Sequence, residues 1–236
     1  MDQLLVALDV ESGDRALQLA DQLRGVAGGY KIGKRLFTLE GPAIVRALVE
    51  RGDRVFLDLK FHDIPNTVAA AVTAATSLGV WMLNVHASGG RRMMEAARQA
   101  AADTAAREGR QAPLVIGVTV LTSMNADALA DVGVPVPIME QVERLARLAQ
   151  SAGLEGVVAS PQEIRMIREA CGPDFIIVTP GIRGGAAVVS GKDDQQRTMT
   201  AREAIAAGAT YIVVGRPIIG SENPRLAASR LQGSQL

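Results

Sequence analysis

The sequence predicts an α/β protein of the (β/α)8 TIM-barrel class. Short β-branched runs alternate with longer Ala- and Leu-rich amphipathic segments, and the alternation repeats eight times. The length of 236 residues suits a barrel of roughly 250 residues. Hydrophobic residues make up 48% of the chain and aromatics only 3%, so the core is expected to consist of Ala, Val, Leu and Ile, as parallel sheets allow. No low-complexity linker divides the chain, and one domain over residues 1–236 is the expectation.

The first strand is read over Leu4 to Asp9, with a helix centred near Leu17. Gly29 to Gly33 is the second strand; its helix, near Val45, is opened by Pro42, whose missing N–H costs little in a first turn, and is ended by Gly52. Arg54 to Lys60 leads to a helix near Ala71, with Pro65 at its start and Gly79 beyond its end. Met82 to His86 leads to one near Ala97, where Met93, Met94 and the stretch from Ala96 to Ala106 read as helical packing. Leu114 to Leu121 is followed by a helix near Leu145 and Gly153, and Gly156 to Ser160 by one near Ile167, between Pro161 and Gly172. Phe175 to Pro180 precedes a helix near Ala204 that stops at Gly208, and Tyr211 to Gly215 precedes the last, near Ala227 after Pro224. Glycines at the helix ends are expected in left-handed caps. A doubly wound open sheet shares this alternation, but the first βα turn, Val10-Glu11-Ser12-Gly13, lacks the glycine fingerprint of a dinucleotide site.

Twenty-five basic and twenty-five acidic side chains cancel, which removes the bulk electrostatic reason to expect nucleic acid or an anionic membrane as partner. No stretch approaches the ~20 apolar residues of a membrane span, and Met1-Asp2-Gln3 lacks the basic start of a secretion signal. Cys171 is the single cysteine, so neither an intrachain disulfide nor a thiolate metal cluster can form. A reducing, cytoplasmic setting is expected, with Cys171 an inert filler.

Barrel active sites lie at the carboxyl ends of the strands. There the third run, Val55 to Asp63, switches from apolar to ionic. Period two puts Asp58 and Lys60 on one face, inside the barrel mouth, and Leu57 and Leu59 on the other, toward the helices. An isolated pair of this spacing reads equally as an ion pair capping the core. Lys31, ending the neighbouring strand, and Asp63, three residues on, favour a functional cluster of two cations and two anions.

Asp58-Leu59-Lys60-Phe61-His62-Asp63-Ile64-Pro65-Asn66-Thr67 resembles the signature of orotidine 5′-monophosphate decarboxylases. Leu8-Asp9, Tyr30-Lys31-Ile32-Gly33, Asn84-Val85-His86, Val118 to Ser123, Thr179-Pro180-Gly181-Ile182-Arg183, Asp194-Gln195 and Val214-Gly215-Arg216-Pro217 extend the resemblance over essentially the whole chain. It implies a cytoplasmic homodimer that converts orotidine 5′-monophosphate to uridine 5′-monophosphate and CO2 in pyrimidine biosynthesis, without cofactor or metal. Lys31, Asp58, Lys60 and Asp63 would form the catalytic array, with Asp63, Ile64 and Thr67 reaching across from a second subunit and Lys60 delivering the proton to C6. Asp9 and Lys31 would hold the ribose, and Thr122, with Ser123 beside it, would face the pyrimidine. Pro180, Arg183, Gln195, Gly215 and Arg216 complete the expected substrate contacts, the last four at the phosphate.

The phosphate assignment has an independent basis. Barrels often bind phosphate with the loops after strands seven and eight, where Gly181-Ile182-Arg183 and Gly215-Arg216-Pro217 combine close backbone approach with a planar charged fork. Gly-Arg-Pro alone is equally a strand-ending turn. Gly184 to Thr200, rich in Gly, Asp, Gln and Ser, reads as a mobile lid or as an ordinary surface loop. Thr122 is also a candidate helix cap. His86 is expected as a hydrogen-bonding neighbour of the site, and His62 and Trp81 as structural. Two rival functions share much of this pattern: a magnesium-dependent sugar-phosphate decarboxylase or aldolase with the same Asp58-x-Lys60-x-x-Asp63 spacing, and a barrel that only binds a phosphorylated ligand.

Overall fold

The computed structural model describes residues 2–183 and 199–232. The chain runs β1 (Leu4–Ala7), α1 (Gly13–Gln22), β2 (Gly29–Gly33), α2 (Lys34–Glu40), α3 (Pro42–Glu50), β3 (Val55–Phe61), α4 (Pro65–Ser77), β4 (Met82–His86), α5 (Arg91–Arg107), β5 (Leu114–Val118), α6 (Ala126–Asp131), α7 (Ile138–Ser151), β6 (Gly156–Val158), α8 (Ile164–Cys171), β7 (Ile176–Thr179), β8 (Ile182–Arg183), β9 (Met199–Thr200), α9 (Ala201–Ala207), β10 (Tyr211–Val214), α10 (Arg216–Ile219) and α11 (Pro224–Gln232). Eight parallel strands close in the order β1-β10-β7-β6-β5-β4-β3-β2, so the expected (β/α)8 barrel is the fold.

Strand alternation builds two cores. Leu5, Ala7, Phe56, Met82, Ile116, Val178 and Val213 fill the barrel interior. Their strand neighbours Leu4, Val6, Val55, Leu57, Leu83, Val115, Ile177, Ile212 and Val214 join the larger layer beneath the helices. Leu57 is thus on the helix side, as period two requires, and Leu59 packs against the same layer. Met93, Met94, Ala97 and Ala101 bury one face of α5. Trp81 packs edge-on to Tyr211 at the strand starts, ring centroids 5.1 Å apart, with the Arg54 guanidinium over its ring.

The structure corrects several boundaries. β1 stops at Ala7 rather than Asp9, β5 at Val118 rather than Leu121, β6 at Val158 rather than Ser160 and β7 at Thr179 rather than Pro180. Leu8 and Ala159, just past β1 and β6, stay buried in the layer beneath the helices although the strands have ended, and Pro180 has no N–H for a ladder. One helix was expected between the second and third strands, but Gly41, at φ 63°, followed by Pro42, divides it into α2 and α3. Short helices α6 and α10 are likewise additional. The segment expected as one loop from Gly184 to Thr200 ends earlier: Met199–Thr200 pairs with Ile182–Arg183, and Thr200 caps α9 in a capping box with Glu203. Gln195 lies outside the described residues. No helix among the described residues is long and apolar enough to cross a membrane.

Candidate active site

Strand β3 begins regularly, with Val55, Phe56 and Leu57 buried. It pairs in register with β4 through Leu57↔Leu83; the next pair is Phe61↔Val85, so four steps of β3 run beside two of β4. This irregularity contains Asp58, Leu59 and Lys60. Lys60 has φ 54°, the one positive value at a non-glycine residue among the described residues. A left-handed backbone costs a side-chain-bearing residue about 1–2 kcal/mol, and strain of this kind concentrates at functional sites.

The Lys60 side chain turns back to Asp58, Nζ lying 2.5 Å from Oδ1. The other carboxylate oxygen of Asp58 faces Lys31 Nζ at 3.5 Å, and Lys31 donates to Asp9 Oδ1 at 3.2 Å. Asp9, Lys31, Asp58 and Lys60 therefore form one alternating chain of charges across the ends of β1, β2 and β3. Asp58 and Lys31 are nearly buried, with side-chain exposures of 12% and 11%, whereas Asp9 is about half exposed at 49%. Burial of either charge alone would cost several kcal/mol, and each has a partner.

Gly33 leaves the space this chain of charges occupies: a Cβ there would stand 2.9 Å from Lys31 Nζ and 3.0 Å from Asp9 Oδ1. Asn84 is fully buried opposite. Its Oδ1 accepts from the Lys60 backbone N–H at 2.8 Å, and its Nδ2 donates to Asp58 Oδ1 at 2.7 Å. Sequence reasoning gave Asn84 no role, although its period-two position between Met82 and His86 aims it at the barrel interior.

Asp63 is not drawn into this group. It is exposed, and its Oδ1 accepts from the Ile64 N–H at 2.6 Å in the β3–α4 turn. Ile64 and Thr67 are exposed beside it, Ile64 at 66%. His86 ends β4, half-buried, with its ring centroid 5.2 Å from that of His62. Among the described residues His86 makes this ring contact rather than the hydrogen bond expected for it. Burial, aided by the neighbouring charges of His62, Lys34 and Lys60 and opposed by Asp58, lowers the His86 pKa to about 4.

Thr122 lies half-buried in the turn after β5, and the capping role open to it belongs to Asn125, whose Oδ1 accepts from Ala128 N at 2.9 Å. Pro180 follows β7 directly, and Arg183 is the second residue of β8. Gly215 precedes α10, in which Arg216 is the first residue. Because β10 is bonded to both β7 and β1, the Pro180–Arg183 and Gly215–Arg216 segments leave adjacent strands, next to the strand that leads to Asp9.

The family model described as "Orotidine 5'-phosphate decarboxylase / HUMPS family" matches residues 2–231. A protein of Moorella thermoacetica named orotidine 5'-phosphate decarboxylase is 54% identical over 96% of this chain and 89% of its own length. One of the same name from Syntrophotalea carbinolica is 55% identical over 97% and 93%. Among solved structures, orotidine 5'-phosphate decarboxylase from Lactobacillus acidophilus matches with TM-score 0.86 at 34% identity over 98% of this chain and 97% of that one. An uncharacterized conserved protein from Geobacillus kaustophilus matches with TM-score 0.84 at 40% identity, covering 97% and 98%. A barrel whose third strand kinks to set a lysine against an aspartate thus has whole-length relatives in sequence and in structure, and the chain belongs to the orotidine 5′-phosphate decarboxylase / HUMPS family.

Proposed function

We propose that the protein decarboxylates orotidine 5′-monophosphate to uridine 5′-monophosphate in pyrimidine biosynthesis, with Lys60 as proton donor to C6. The observation that carries this reading is the Asp58 carboxylate, engaged by Lys60 at Oδ1 and by Lys31 at Oδ2. Curated relatives at 52–55% identity that are named for this reaction support the substrate.

In this reading the C6–carboxylate bond breaks, CO2 leaves, and the electron pair remains on C6. No adjacent carbonyl delocalises that charge in the usual way. An ammonium held at C6 stabilises it electrostatically, and transfer of one Nζ proton completes the new C–H bond. Solvent then returns a proton to the amine. Asp58 holds the ammonium in position, and beside the departing carboxylate its like charge raises the ground state relative to the transition state. Asp9 and Lys31 take the ribose hydroxyls, and Thr122 takes the pyrimidine edge. The phosphate is assigned to Arg183, Gln195, Gly215 and Arg216, with Pro180 lining the path between.

The exposure of Asp63 and Ile64 on the β3–α4 turn and of Thr67 at the start of α4 supports a homodimer in which this segment completes the partner's array. The single buried cysteine fits a cytoplasmic setting. Metal independence has its support in Asp58, since a cation at that carboxylate would have to displace one of two ammonium groups.

Ultraviolet-monitored turnover of orotidine 5′-monophosphate in excess EDTA tests the reading. Rapid conversion is expected. Failure of the folded protein to convert it would move the assignment to the magnesium-dependent sugar-phosphate chemistry that shares the Asp58, Lys60, Asp63 spacing.

A further inference from the structure

We infer that Asn84 is a positioning residue for the decarboxylation, acting through Lys60 and Asp58; the inference rests on the function proposed above. Where the β3–β4 ladder breaks after Leu57↔Leu83, the Lys60 N–H would have no backbone acceptor on β4. The Asn84 side-chain carbonyl supplies one at 2.8 Å. The same amide group donates to the Asp58 oxygen that holds Lys60 Nζ. One fully buried carboxamide therefore sets both ends of the pair: the backbone from which Lys60 projects at φ 54° and the carboxylate that fixes where its ammonium stops.

An amide suits this place because it presents an acceptor and a donor together. Aspartate has the same shape but, when ionised, no donor, and would set a second carboxylate oxygen against Asp58. Alanine leaves both the Lys60 N–H and the inner side of Asp58 without partners. The charged and titratable groups nearby are Asp58 and Lys60 on β3, Lys31 reaching Asp58 from β2, and His86 two residues along β4. On β5 the residue paired with Asn84 is Ile116, which carries no charge.

The experiment compares Asn84→Ala, Asn84→Ser and Asn84→Asp with the wild-type enzyme in steady-state turnover of orotidine 5′-monophosphate from pH 5.5 to 8, with circular dichroism to check folding. For Asn84→Ala and Asn84→Ser, kcat is expected to fall at least tenfold while KM stays within about threefold, because binding groups elsewhere are intact. For Asn84→Asp, the activity relative to wild type is expected to rise at least fivefold between pH 8 and pH 5.5, as the introduced carboxyl gains a proton and becomes a donor to Asp58. A role in packing alone predicts no such slope. Folded variants with kcat within twofold of wild type, or a pH-independent ratio for Asn84→Asp, would overturn the inference. So would loss of folding in all three. Absence of turnover by the wild type would instead remove the proposed function, and this inference with it; wild-type turnover beside unaffected variants would remove the inference alone.

Discussion

Lys60 and Asp58 stand two residues apart on one strand, yet Nζ of the first lies 2.5 Å from Oδ1 of the second, with Lys60 in a left-handed backbone conformation at φ 54°. In a regular strand, side chains two residues apart stand parallel and point into the same space. Here the lysine folds back on its neighbour, and the pair meets Lys31 on the far side of the carboxylate.

Two substitutions at Lys60 separate chemistry from strain. Lys60→Ala is expected to keep the fold and bind nucleotide while losing turnover by at least about 100-fold, the scale of one positioned general acid. Lys60→Gly should be equally inactive but more stable than Lys60→Ala by about 1 kcal/mol, because glycine adopts positive φ without a Cβ penalty. Kinetics and urea unfolding of both variants check this. Residual activity within tenfold of wild type would take Lys60 out of the chemistry.

Gly33→Ala tests the space beside the first ion pair. The added Cβ would stand 2.9 Å from Lys31 Nζ, a contact that the ammonium can relieve only by moving away from Asp9 or Asp58. Stability should change by less than about 1.5 kcal/mol, since the displaced atom ends a flexible side chain. The KM for nucleotide should rise about tenfold, equivalent to ~1.4 kcal/mol of ribose contact. An unchanged KM would show that Lys31 tolerates displacement.

Ile64, at 66% exposure, tests the proposed dimer. Full burial of such a side chain contributes about 1.5–3 kcal/mol, so Ile64→Lys should weaken self-association at least tenfold and lower the specific activity in dilute solution. Sedimentation over a concentration series reads this out. A variant as dimeric and as active as wild type would place the interface elsewhere.

His86 should make the fold sensitive to acid. Its pKa of about 4 lies below the ordinary 6.5, so between those values the unfolded chain binds the proton and the folded chain does not. Stability is therefore fully present above about pH 6.5, declines as pH falls toward 4, and levels off below that. Allowing for solvent screening at a half-buried ring, the loss attributable to His86 is on the order of 1–2 kcal/mol. Urea titrations at pH 7 and pH 4.5 should show a smaller loss in His86→Gln than in wild type. Equal losses would assign the acid sensitivity to other groups.

Much of the architecture was legible along the chain because a parallel barrel repeats one local pattern. Gly208 caps α9 in the left-handed region, and Pro42 and Pro65 open α3 and α4, as expected from local backbone rules. Strand ends were less legible. Asp9 follows the apolar run from Leu4 to Leu8 without a turn signal, and only the closing ladder shows that the strand stops at Ala7. The division of α2 from α3 was missed although Gly41-Pro42 carried the signal, since a glycine before a proline reads equally as a simple helix start.

For the candidate site, the sequence alone determined that Asp58 and Lys60 share the barrel-facing side of β3 and that Lys31 ends the neighbouring strand, because period-two alternation and parallel order are local and repetitive. Tertiary structure decided the rest. It linked Asp9 to Lys31 across two strands, left Asp63 and Ile64 on an exposed turn, and set Asn84 against a break in the ladder. The links of Asp9 to Lys31 and of Asn84 to Lys60 depend on the register between neighbouring strands, and the irregularity that contains Asp58 and Lys60 changes which atoms meet without leaving a mark on the local hydrophobic pattern.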